Sequence, residues 1–91
     1  MVDEAELAAR LRDEATACHR WSNGPWARYE VHHHPYRKIL YVAAGSITFT
    51  PGSGPPVRLR AGERIDLPAG LAHAAAVGAE GVVCWEGQAR D

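Results

Sequence analysis

This 91-residue sequence is poor in the features that mark several protein classes. It has only two cysteines, Cys18 and Cys84, too few for a disulfide scaffold. Both are expected to be free thiols. Cys84 sits in the apolar stretch Val82-Val83-Cys84-Trp85 and reads as a small buried hydrophobe. There is no surplus of basic charge. Lys and Arg number 10 against 11 Asp and Glu, a net charge of -1, so phosphate-driven nucleic-acid binding is not expected. No apolar run is long enough to span a bilayer. The start carries Asp3, Glu4 and Glu6, the wrong sign for the basic opening of a signal peptide, so the expected compartment is the cytoplasm.

What is present suits one small globular domain over residues 1–91. Hydrophobic residues make up 46% and charged residues 23%, enough apolar surface to rule out disorder. A chain this short buries only about two thirds of its unfolded surface, which leaves a thin stability margin and a reason to dimerise.

The hydrophobic period changes along the chain. Leu7, Ala8, Leu11, Ala15 and Cys18 recur at helical spacing and predict an amphipathic helix over 3–19. Asp3 caps it, with Glu6 three residues on. After the turn Ser22-Asn23-Gly24-Pro25 the period falls to two, and a β-barrel is expected over 26–86. Candidate strands are 26–33, 38–44, 46–50, 57–60, 64–67, 73–77 and 81–86. Gly45-Ser46, the loop 51–56, Ala61-Gly62, Pro68-Ala69-Gly70 and the stretch 78–81 separate them. Many short strands with such punctuation predict a sandwich or barrel. Residues 39–42, Ile-Leu-Tyr-Val, are apolar on both faces, whereas a strand of a one-layer barrel alternates. Ile39 and Tyr41 are therefore expected to be covered by the N-terminal helix or by a second copy of the chain. On this ground a homodimer is expected.

Histidine is concentrated in two places, His32-His33-His34 and His73. In a strand, residues i and i+2 share a face about 6.5–7 Å apart, so His32 and His34 can aim into one space while His33 points away. A third ligand from elsewhere would complete a metal site, and His73 after the turn 68–70 can supply it. Three neutral imidazoles favour Zn, Fe, Ni or Cu over Mg, Ca or Mn. Arg28 and Glu30 have the parity of His32, so a regular strand would turn both inward beside the site. Trp26 is a further candidate for the lining.

The spacing resembles the two motifs of the cupin superfamily. His32-x-His34, three residues, Lys38, six residues and Gly45 resemble the first; Gly62, five residues, Pro68-x-Gly70, two residues and His73 resemble the second. The resemblance implies a small antiparallel, jelly-roll-like cupin β-barrel with a short N-terminal α-helix. It also implies that His32, His34 and His73 bind a divalent transition metal. Three positions depart from the pattern. Lys38 stands where the family has a glutamate that serves as fourth ligand. Val77 stands where it has asparagine, and Trp26 where it has glycine. An ammonium close to a dication is repelled, so Lys38 must turn away, lose its proton, or serve an anionic ligand. Glu30, Asp66 and Glu86 are alternative carboxylates, with no pattern that aims them at the site. The resemblance implies a metal-dependent enzyme on a small organic molecule, dioxygenase- or isomerase-like. The alternatives are a binding or sensing module for a small molecule or metal, and a metal-free structural barrel.

Overall fold

The computed structural model describes residues 2–90. One helix, α1 (Glu4–Glu14), leads into six strands: β1 (Ala15–Asn23), β2 (Arg28–His32), β3 (Lys38–Pro51), β4 (Val57–Arg60), β5 (Arg64–Leu67) and β6 (His73–Ala89). The strands form one antiparallel sheet ordered β1-β6-β3-β4, with β2 also on β6 and β5 also on β3. Among the described residues no helix is long and apolar enough to cross a membrane.

The expected helix is shorter than its periodicity suggested. Asp3 caps it, accepting from the Glu6 N–H at 3.2 Å. It stops at Glu14, because Ala15 is already extended (φ -140°, ψ 158°) and pairs with Ala89. Residues 15–19, read as helix, open β1 instead. Thr16 pairs with Gln88 and His19 with Glu86, so one extra residue bulges out, and Ala17 takes a left-handed φ of 52°. Pairing with β6 outweighs the weak helical preference of these residues.

The pairs of strands expected around Gly45 and around residues 78–81 are two continuous strands, β3 and β6. They pair along most of their length, from Lys38 opposite Gln88 to Pro51 opposite His73, with register shifts beside Gly45. There the backbones nearly touch. A Cβ on Gly45 would lie 2.0 Å from the Gly81 carbonyl oxygen, and both glycines have positive φ, 74° and 77°. This contact bends the ladder so that each long strand serves both sides of the barrel. Inside lie Leu40, Val42, Ile47, Phe49, Leu59, Leu67, Val77, Val82 and Cys84.

The second apolar face is covered by the chain's own helix. Leu7 and Leu11 of α1 pack on Ile39 and Tyr41, which are 0% and 7% exposed. Each buried leucine contributes about 1.5–3 kcal/mol. Polar contacts hold the helix at both ends. Glu4 accepts from the Trp85 indole at 2.8 Å and pairs with Arg20. Glu14 pairs with Arg64 at 2.6 Å, and Arg64 also meets Asp66 and the Tyr41 hydroxyl. Of the two covers expected for this face, the helix or a second copy, the helix is the one that packs on it.

Replacing Gly45 with alanine should cost about 2–5 kcal/mol, from left-handed strain plus overpacking against Gly81. A urea unfolding midpoint checks this; an unchanged midpoint would mean that the crossing is not constrained.

Candidate metal centre

The three motif histidines converge. Their ring centroids lie 5.0 Å (His32–His34), 4.4 Å (His32–His73) and 5.3 Å (His34–His73) apart. One ligand atom from each can be chosen so that all lie within 4.8 Å of one another. Two separate pieces of chain place them. His32 ends β2, directly opposite His73, the first residue of β6. His34 lies just beyond β2, and its carbonyl accepts from the Gly70 N–H at 2.7 Å, which ties it to the turn before His73. His33 points to solvent, as its parity predicts.

Backbone carbonyls set the ring chemistry. The Nδ1 of His32 is 2.8 Å from the Glu30 oxygen, and the Nδ1 of His73 is 3.0 Å from the Leu71 oxygen. A carbonyl oxygen only accepts, so each Nδ1 carries the proton and each Nε2 presents a lone pair. The ring of His34 stacks on Tyr36, with centroids 5.3 Å apart. The Nε2 atoms of His34 and His73 are buried without any hydrogen-bond partner, the only such side-chain atoms among the described residues. An unsatisfied buried nitrogen costs about 1–3 kcal/mol. Two of them in one cluster fit a metal, which takes the lone pairs that no donor fills.

Lys38 does not swing away. It is 8% exposed and lies on the inner face of β3, with its Nζ 3.1 Å from the Glu86 Oε2. The other oxygen, Oε1, accepts from the Trp21 indole at 2.6 Å. Lys38 and Glu86 line a cavity of about 310 Å³, together with His32, Trp21, Tyr29, Leu40 and Phe49. The carboxylate absent from position 38 thus reappears on the neighbouring strand, held by the lysine that replaced it. Sequence reasoning had not aimed Glu86 inward, although it shares the parity of the apolar Val82 and Cys84. Asp66 lies outside the cavity, engaged by Arg37 and Arg64.

The other expected lining residues lie elsewhere. Arg28 and Glu30 are exposed, and Tyr29 faces the cavity in their stead. A bulge is the reason. Tyr29 pairs with Ala75 and His32 with His73, three steps on β2 against two on β6, so the parity inverts between them. Trp26 is 70% exposed and has a φ of 65°, a left-handed conformation that costs a tryptophan about 1–2 kcal/mol and a glycine little. Cys84 is fully buried, and burial, followed by the nearby Glu86 carboxylate, pushes its thiol up to about 12. It is not a nucleophile at neutral pH.

The chain belongs to the cupin-domain family, which matches residues 15–85. No curated protein matches it. Among solved structures it is similar to the DMSP lyase DddQ from Ruegeria pomeroyi, with TM-score 0.77 and 24% identity over 86% of this chain and 40% of that one. It is also similar to the Cnp3 cupin domain of Schizosaccharomyces pombe, with TM-score 0.74 and 17% identity over 81% of this chain and 55% of that one. An RmlC-like cupin from Shewanella frigidimarina gives TM-score 0.68 and 22% identity over 81% and 67%. The chain spans well under two thirds of the lyase and of the Cnp3 domain, and at these identities the likeness is one of fold.

Burial, reinforced by the Lys38 ammonium, holds His34 below its ordinary 6.5. Burial also lowers His73, partly offset by its bond to the Leu71 carbonyl. Below pH 6.5 the unfolded chain therefore takes up protons that the folded chain refuses, and stability falls as pH drops. The thermal midpoint of metal-free protein should decline from pH 7 to pH 5, and more shallowly in His34→Gln and His73→Gln. Equal slopes in all three would contradict this.

Proposed function

We propose that this protein is a small metal-dependent cupin in which His32, His34 and His73 hold a divalent transition metal, one of Zn, Fe, Ni or Cu. The metal's remaining positions take a small organic molecule from the adjoining cavity. The observation that carries this reading is the pair of buried, unpartnered Nε2 atoms of His34 and His73, with His32 beside them.

Bound there, the metal supplies Lewis acidity, and redox chemistry as well if it is iron or copper. The chain's own residues do the rest. The carbonyls of Glu30 and Leu71 fix the imidazole tautomers. Trp21, Tyr29, Leu40 and Phe49 give the cavity an apolar wall that limits water. Glu86 is its carboxylate and the candidate proton acceptor. These parts suit a reaction that moves a proton next to a polarised carbonyl, as in an isomerase, or an oxygen-dependent one, as in a dioxygenase.

Non-catalytic binding or sensing of a small molecule is the second reading, and one observation favours it. Both oxygens of Glu86 are engaged, by Lys38 and by Trp21, which weakens it as a base.

Metal analysis of protein purified without nickel chromatography tests the proposal. About one equivalent of transition metal per chain is expected, and it is lost in His73→Ala. Absence of metal even after reconstitution with Zn, Fe, Ni and Cu in turn would overturn it.

A further inference from the structure

We propose that the cavity beside the histidine cluster selects small organic anions, carboxylates above all, and that Lys38 is the residue that recognises them. This rests on the metal reading above and names its class of ligand.

A count of charge leads to it. Three neutral imidazoles bring no negative charge to a dication. The ligand-forming group among the described residues holds three histidines and no carboxylate. Within the cavity Lys38 and Glu86 cancel each other. A bound dication therefore leaves the cavity with two uncompensated positive charges behind an apolar wall, where charge is weakly screened. Negative charge has to come with the ligand.

The placement of Lys38 says where that ligand sits. A buried ammonium is costly, and a single carboxylate at 3.1 Å satisfies one of its three donors. Its stem lies along β3 on the same face as Leu40, so the largely buried amine is held at the cavity. His32 of the cluster lines the same cavity as Lys38 and Glu86. One ligand can therefore meet the metal at one end and Lys38 at the other. Trp21 fixes Glu86 from the side opposite Lys38, so the carboxylate stays in place while the ammonium turns a free donor towards an incoming anion. A cavity of about 310 Å³ lies at the small end of ligand pockets, which suits a short-chain acid.

Calorimetry with zinc-loaded protein tests this, using malonate as the probe and malonamide as its neutral counterpart, with bound zinc quantified in every sample. Wild type should prefer malonate by at least about tenfold. Lys38→Met should remove most of that preference while zinc stays at one equivalent. Because Lys38→Met strands Glu86, the double variant Lys38→Met with Glu86→Gln is measured alongside it; removing both partners leaves no unpaired buried charge, so it should fold, hold zinc and lose the share of the malonate preference that Lys38 supplies, keeping only the share due to zinc. Zinc at one equivalent together with full malonate preference in the double variant would overturn the role of Lys38 and leave the metal site standing. Equal binding of malonate and malonamide by wild type would overturn the anion class. A wild-type protein that takes up no zinc would overturn the inference together with the metal reading, and the zinc measurement tells these failures apart.

Discussion

The antiparallel ladder between β3 and β6 organises this molecule. These strands, of 14 and 17 residues, pair from Lys38 opposite Gln88 to Pro51 opposite His73. A straight ladder of that length would hold its two ends far apart. The close approach of Gly45 and Gly81 bends it, and so both halves of each strand line one cavity: Lys38, Leu40 and Glu86 from one half, Ile47, Phe49 and Ala75 from the other. The shorter strands extend this frame. β2 joins β6 beside His73 and brings in His32, and β5 joins β3 beside Lys38. The helix closes the outer face of the same two strands.

The ladder also explains how a lysine is tolerated where the family has a metal-binding glutamate. Glu86 lies opposite Leu40, two residues along from Lys38 and on the same inner face. The two side chains meet across the ladder at 3.1 Å. A buried ion pair seldom adds much net stability, because desolvating both groups offsets their attraction. The pair lies in the same cavity as His32. The usual arrangement neutralises a dication with a protein carboxylate. Here a carboxylate is set back and tied to a cation, so a dication held as proposed would leave its charge for a ligand to answer.

Much of this was legible in the residues. The punctuation by Gly62 and Pro68-x-Gly70 located strand boundaries, whereas Gly45 marks a bend inside β3 and not a boundary, and the joint spacing of His32, His34 and His73 indicated their convergence. What was not legible lies mostly in two bulges. One at Ala17 ended the helix early and began β1, because pairing with β6 outweighs local preference and pairing is not a local property. The other, between Tyr29 and His32, inverted the parity of β2, so Arg28 and Glu30 face solvent and Tyr29 faces the cavity. A period-two reading has no means of seeing one inserted residue. Glu86 was the more recoverable omission, since it continues the inward series Val82, Cys84. Its partnership with Lys38 depends on the register between β3 and β6, which no single strand encodes.

In the proposed site three histidine Nε2 atoms hold a metal while Lys38 and Glu86 stay paired beside it. Anomalous diffraction from crystals of metal-loaded protein tests this most directly. One anomalous peak is expected about 2.0–2.2 Å from the Nε2 atoms of His32, His34 and His73, with the Lys38–Glu86 pair intact. A peak coordinated by Glu86 with Lys38 displaced, or a loaded metal bound away from the three histidines, would contradict it.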